Sequence, residues 1–384
     1  MARPVREHSR RPGPELGSPP TQMPSPVKRR REPLSRRRAK PENPFLSLLS
    51  EVQREVNGRL ARLLEERRKA AAQVNPELEW MIAGVADLCA RGGKRLRAAL
   101  IVAGCRASAA RYDADAAHQA GVAVELLQAY FLIHDDWMDR DPVRRGGPSL
   151  HALFGERLGE PHRGAVAAVL AGDYAAALAL ETLAGISLPK ASLEAALARF
   201  ARMQYDAVLG QQLDSFATDG DPETVYALKT GSYTVAGPLA LGAAIAGAKG
   251  ETLRALERFA MPIGIAFQLR DDLLGAFGEP SKTGKPLGSD LRAGKRTRLL
   301  LEARRLLKPR ERSALERVIG NDKARELDVR RALSSIESSG ARARVEAQIL
   351  ELAATARAAL SRGVSADGVA LLSGAIDALT ERVS

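Results

Sequence analysis

Val122-Ala123-Val124-Glu125-Leu126-Leu127-Gln128-Ala129-Tyr130-Phe131-Leu132-Ile133-His134-Asp135-Asp136-Trp137-Met138-Asp139 decides how this chain is read. An almost wholly apolar run leads directly into three carboxylates. On a helix of about 3.6 residues per turn, Asp135 and Asp139 stand one above the other, with Asp136 roughly 100° away. The apolar lead-in puts these carboxylates at the mouth of something buried. They repel one another unless a cation lies between them. Mg²⁺ suits the arrangement, because it takes one or two protein carboxylates and fills its other positions with water and phosphate oxygens. Arg144-Arg145-Gly146-Gly147 follows, setting two cations and a flexible loop beside the acidic cluster. Phosphate between metal and arginine is the natural reading. Taken alone, a DDxxD stretch is as readily a solvated acidic helix end.

A second acidic segment, Gln268-Leu269-Arg270-Asp271-Asp272, also ends an apolar helical run. Brought face to face, the two segments could hold several divalent cations and a diphosphate. The stretch 278–286 that follows is too polar and too rich in breakers to be helical. It fits a mobile lid that brings Lys285 and Lys295 to a bound diphosphate.

With 384 residues, low aromatic content and apolar residues at helical spacing along most of the chain, an all-α protein is expected. Helices are expected over 45–71, 78–91, 96–107, 114–138, 163–184, 192–214, 222–230, 235–246, 251–274 and 297–306, with shorter ones to the end. The apolar segments 165–170 and 236–248 are too short or too rich in Ala and Gly for secure membrane spans, so no transmembrane segment is expected. Cys89 and Cys105 have no metal-ligand or redox spacing and no signal-peptide pattern is present. Both read as reduced core residues of a cytoplasmic protein.

Residues 1–42 are a different material, with Pro-Gly-Pro, Ser-Pro-Pro and Pro-Ser-Pro runs and the clusters Lys28-Arg29-Arg30-Arg31 and Arg36-Arg37-Arg38. They bury too little to offset their ordering entropy and are expected to be disordered. They carry roughly two thirds of the net charge of +12, so the basic character belongs largely to this tail. Loose attachment to nucleic acid or anionic lipid is one reading of it. An unselected extension is the favoured one, and no specific nucleic-acid partner is expected.

From 43 to the C-terminus, five motifs in order resemble the trans-isoprenyl diphosphate synthase (polyprenyl synthetase) family. Gly92-Gly93-Lys94-Arg95-Leu96-Arg97 resembles its GGKR-x-R segment, although Ala98 stands where proline is common. His134 to Gly147 resembles its first aspartate-rich motif with the trailing arginines. Gly210-Gln211-Gln212-Leu213-Asp214 and Lys229-Thr230-Gly231 are similar to its GQ-x-x-D and KT elements. Phe267 to Asp272 resembles its second aspartate-rich motif, and Gly284-Lys285, Asp290 and Gly294-Lys295 the loop beyond. Gly275 departs from the pattern, because the second motif often carries a third aspartate there.

The resemblance implies a single-domain isoprenoid synthase type I helical bundle around a central cavity. It implies three Mg²⁺ ions, replaceable by Mn²⁺, bound through Asp135, Asp139 and Asp271, with Asp136, Asp272 and Lys229 also in the catalytic set. Isopentenyl diphosphate would meet Lys94, Arg97, Gln128 and Arg145. The allylic diphosphate would meet Arg144, Lys229, Thr230, Gln268, Lys285 and Lys295. Tyr130 and Phe131, five and four residues before Asp135, would floor the pocket for the growing chain and favour a C15 product over C20. His134 reads as a packing residue, and Trp137 and Met138 as packing behind the aspartates. A homodimer is the family expectation. Two other classes share features with the chain, a type I terpene cyclase and a non-catalytic subunit of a heteromeric synthase. The paired arginines with Lys94 and Arg97 argue against the first, and the intact first motif against the second.

Overall fold

In the computed structural model, residues 43–216, 222–279, 286–360 and 362–380 are described. The basic segment 1–42, and Lys285 with most of its loop, lie outside them.

The chain opens with α1 (Pro44–Val74), which Asn43 caps by accepting from Phe45 N–H at 2.9 Å, with Pro44 pre-set for the first turn. Its Phe45, Leu48, Val52, Val56, Leu60 and Leu64 form one buried stripe at helical spacing. A short 3₁₀ turn (Pro76–Leu78) leads into α2 (Glu79–Ala90) and α3 (Leu96–Ser108). Next comes α4 (Ala114–Met138), N-capped by Asp113 and buried on nearly every side between residues 116 and 129. A helix apolar all round belongs at the centre of a bundle. It packs against α3 and α6 (Pro161–Ala184).

Beyond α4 the chain has two features that a period-3.6 reading does not reveal. Arg144 and Arg145 sit in a small antiparallel hairpin, β1 (Val143–Arg144) and β2 (Gly147–Pro148), followed by α5 (Leu150–Leu158). Beyond α7 (Lys190–Phe216) and α8 (Pro222–Val225), residues Tyr226–Ala236 form a π-helix that runs directly into α9 (Gly237–Ile245). The expected break at 231–234 is absent. A π-helix keeps the backbone bonded while shifting the side-chain period, so a 3.6-residue template loses it.

The remaining helices are α10 (Glu251–Phe277), α11 (Ser289–Arg292), α12 (Arg298–Leu306), α13 (Pro309–Glu316), α14 (Glu326–Ser338), α15 (Ala341–Ala359) and α16 (Ala366–Thr380). Two apolar cores result. The larger joins α1 to α7, α9, the first half of α10 and α16. The smaller joins the second half of α10 to residues 291–349. One helix among the described residues, α6, is long and apolar enough to cross a membrane, with mean hydropathy 1.5. Its Ala168, Ala171, Ala175 and Leu183 are buried and it packs on α4, as a core helix does.

Candidate active site

The first aspartate motif occupies the last turn of α4. Asp139 donates its backbone N–H to the Asp135 carbonyl at 2.7 Å, which keeps both residues on one helical face. Asp135 is half-buried and Asp139 exposed. Burial pushes the Asp135 carboxyl above its ordinary range, Lys229 opposes this, and Asp139 adds to it. Asp136 points the other way and is 1% exposed. Arg144 donates Nε to its Oδ1 at 2.7 Å and adds a second bond from Nη2. The middle aspartate thus ties the β1 hairpin to α4. Trp137 and Met138, expected to pack behind the aspartates, are exposed instead. Asp136 has taken the inward position, and the next two residues turn away from it.

Opposite stands the π-helix. Lys229 Nζ lies 2.8 Å from Asp214 on α7 and 4.0 Å from Asp135 on α4, bridging the two. The contact requires close approach of α7 to the π-helix. A Cβ on Gly210 would come within 2.6 Å of the Lys229 nitrogen, so glycine is needed there. Thr230 donates to Gln268 at 2.5 Å, Gln268 Nε2 donates to Asp272 at 2.9 Å, and Tyr226 donates its hydroxyl to the other Asp272 oxygen. Tyr226 in turn accepts from Arg298 N–H at 2.8 Å. Burial pushes the Asp272 carboxyl up to about 7 despite these bonds. Asp272 is thereby committed to an internal chain of hydrogen bonds, while Asp271 borders the small cavity as well as the large one they share.

Three cavities meet here. One of 150 Å³ is bordered by Asp135 and Asp271 together, with Arg97, Gln128, Lys229 and Gln268. A second, of 540 Å³, shares Lys229, Thr230, Gln268 and Asp271 and adds Lys94, Asp214, Asp272 and Lys295. The third, 380 Å³, is mostly apolar and lies under Tyr130, Phe131, Met138, Val208 and Phe216. Phe131 and Asp135 border both the first and the third. The Phe131 ring packs between Tyr130, at 4.8 Å, and Tyr233, at 4.7 Å. His134 stacks on Tyr130 at 4.6 Å with its Nε2 3.2 Å from the Val169 carbonyl, a packing position.

The glycine-rich loop supplies the cationic wall. Gly92 and Gly93 have φ of +99° and +127°, and Arg95 is left-handed at +53°. The loop is fixed by Arg95, which is 4% exposed and reaches Glu125 at 2.9 Å, Asn57 at 2.7 Å and the Cys89 carbonyl at 2.6 Å. This sets Lys94 into the large cavity and Arg97 into the small one. Arg97 also donates to Thr234 at 2.8 Å and lies 4.4 Å from the Tyr233 ring centre. Arg145 folds back onto the Gly92 carbonyl at 2.6 Å. Neither Arg144 nor Arg145 borders the three cavities. Lys295 does: burial opposes its ammonium form, but Asp290, Asp139 and Asp214 outweigh that and raise its pKa. Lys285 lies outside the described residues.

Sequence reasoning missed the Tyr226 bond to Asp272 and the Arg95–Glu125 pair. The one signal for the latter was Glu125, a lone acid in an apolar helix, which requires a buried partner.

An all-helical bundle whose two acidic segments share one cavity, walled by lysines and arginines, defines a class of diphosphate-handling synthase. Residues 79–336 match the family model described as "Polyprenyl synthetase", and the chain belongs to that family. It is a prenyltransferase of the prenyl diphosphate synthase type. It is 35% identical over 303 residues to a geranylfarnesyl diphosphate synthase of Aeropyrum pernix, covering 76% of this chain and 91% of that one. It is 34% identical over 259 residues to a geranylgeranyl diphosphate synthase of Mycobacterium tuberculosis, covering 65% and 70%. Its fold is similar to the crystal structure of a Corynebacterium glutamicum geranylgeranyl pyrophosphate synthase complexed with isoprenyl diphosphate and magnesium. There the TM-score is 0.82 at 31% identity, over 87% of this chain and 99% of that one.

Proposed function

We propose that this protein condenses isopentenyl diphosphate with an allylic diphosphate (dimethylallyl, geranyl or farnesyl), giving an all-trans prenyl diphosphate of C15, with C20 as the close alternative. The observation that carries this is the cavity bordered by Asp135 and Asp271 together, flanked by Lys229, Thr230 and Gln268.

The donor set fits hard divalent cations. Among the described residues no three acidic or imidazole groups converge on one ion position. A cation shared between one or two carboxylates and diphosphate oxygens needs no such convergence, and Mg²⁺ is commonly held that way. Asp135 and Asp139 would hold it from one side and Asp271 from the other. Bound Mg²⁺ supplies neutralisation of the charge that grows on the leaving diphosphate. Lys229 and Lys295 donate to the same diphosphate oxygens, and we assign Lys285 to them as well. The chain Thr230–Gln268–Asp272–Tyr226 fixes the Gln268 side chain at the cavity wall. Lys94 and Arg97 receive the second diphosphate, and Gln128, with a buried Oε1 that has no partner, faces the small cavity. His134 packs on Tyr130 with its Nε2 at the Val169 carbonyl, and the departing diphosphate takes the final proton.

The hydrocarbon chain runs past Asp135 toward the apolar cavity, and Phe131, wedged between Tyr130 and Tyr233, narrows that passage. This supports a short product. Exposed Val166 and Leu170 on α6 and Val208, Leu209 and Leu213 on α7 give an apolar surface for a second copy, and we propose a homodimer. The test is incubation with labelled isopentenyl diphosphate and each allylic primer in turn, followed by chromatography of the dephosphorylated products. Label in a C15 or C20 alcohol supports the reading. Hydrocarbon formed from a primer alone would indicate a cyclase and refute it.

A further inference from the structure

Two consecutive residues of the π-helix hold Arg97, which stands in the first turn of α3. Its guanidinium carbon lies 4.4 Å from the centre of the Tyr233 ring, and Nη2 donates to the Thr234 hydroxyl at 2.8 Å. Both partners are buried. A guanidinium only donates, so the Thr234 oxygen is necessarily the acceptor. The two contacts do different things. The ring fixes the plane of the guanidinium through its face, and the hydroxyl stops the group turning within that plane. Arg97 Nε is left buried and without a partner, on a side chain that borders the 150 Å³ cavity together with Gln128 and Asp271. Lys229 and Thr230, one turn earlier on the π-helix, border the same cavity.

We infer that Thr234 is a positioning residue, whose hydroxyl orients Arg97 for the diphosphate of isopentenyl diphosphate. The inference rests on the prenyl-transfer reading. The π-helix that presents Lys229 and Thr230 to the allylic diphosphate thereby also sets the arginine for the second substrate. Without the hydroxyl, Nη2 loses its acceptor and Arg97 keeps only the ring, over which a guanidinium can turn. Arg97 then has more orientations to give up on binding, so the loss falls on affinity for isopentenyl diphosphate and not on the bond-breaking step. Thr234 itself borders the small cavity, so direct contact with substrate is the competing role.

The test compares Thr234→Val, which keeps the shape and removes the hydroxyl, with Thr234→Ser, which keeps the hydroxyl. Three quantities are read: KM for each substrate, kcat, and the Kd of isopentenyl diphosphate alone by calorimetry. Thr234→Val should remain folded and raise both KM and Kd for isopentenyl diphosphate about tenfold, as expected for losing one charge-assisted contact. Its kcat and its KM for the allylic substrate should stay within about twofold of wild type. Thr234→Ser should restore the lost affinity. In an Arg97→Ala background, Thr234→Val should cause no further fall in kcat/KM for isopentenyl diphosphate, because its effect runs through the arginine. Wild-type affinity in Thr234→Val, an equal rise in both KM values, or a full additional loss in the Arg97→Ala background would overturn the inference. If Thr234→Val does not fold, Thr234→Ala, which also lacks the hydroxyl, takes its place. A wild type that neither binds nor incorporates isopentenyl diphosphate refutes the functional reading instead, which separates the two failures.

Discussion

Arg144 on the β1 hairpin holds the buried Asp136 through two bonds, one of them at 2.7 Å from Nε. The three aspartates of the first motif therefore divide their work: Asp135 borders the cavities, Asp139 is exposed one turn further along the same helical face, and Asp136 anchors the loop. Asp136→Ala should leave the Arg144 guanidinium half-buried without its partner and cost about 3 kcal/mol of stability. Asp135→Ala should change Tm little while lowering kcat by orders of magnitude. Thermal melts paired with turnover assays distinguish the two. Equal Tm losses in both variants would contradict the division.

Product length is predicted to respond to the aromatic wall. Replacing Tyr130 and Phe131 together by Ala removes the two rings that stack on His134 and Tyr233 and opens the passage between the small and apolar cavities. The product should lengthen by at least one isoprene unit, read by chromatography. An unchanged product at normal turnover would remove these residues from the floor.

The chain start can be trimmed up to one residue. Deleting residues 1–42 should leave turnover and Tm unchanged. Asn43 both caps α1 and donates Nδ2 to the Gly374 carbonyl at 3.0 Å, tying α1 to α16. Asn43→Ala should therefore cost about 1 kcal/mol, and a neutral result would show that the cap carries no weight.

His118 is one source of acid sensitivity. Burial, then Arg59, lowers its pKa in the folded protein below the ordinary imidazole value of about 6.5. The unfolded chain takes up the proton first as pH falls through about 6.5, so stability from this group is full above that value and is lost below it until the folded pKa is passed. His118→Gln should lose less Tm than wild type between pH 7 and pH 5. An identical loss in both would place the sensitivity elsewhere.

Much of the fold is legible in the sequence. Apolar periodicity located α1, α4, α6, α7 and α10 because each buries a stripe or a whole circumference, and the aspartate pairs stand out at their C-terminal ends. The rest depends on contacts made in three dimensions. Spacing sets Asp136 off the face shared by Asp135 and Asp139, but only the docked hairpin shows that Arg144 meets it there. The π-helix hid Tyr226 from its partner Asp272 by changing the side-chain period. At Gly275 the sequence shows a missing carboxylate, and only packing shows the Asp290 carboxylate lying against that position.

We propose that Asp135 and Asp271, which border one cavity, act there on one diphosphate. The direct measurement is Mg²⁺-dependent transfer of labelled isopentenyl diphosphate into acid-labile prenyl product by wild type, Asp135→Ala and Asp271→Ala, each first shown to be folded by its melt. The account predicts transfer by wild type that excess chelator abolishes, and a loss of at least about a hundredfold in kcat in each variant. Transfer that persists in chelator, or an Asp271→Ala variant as fast as wild type, would contradict it.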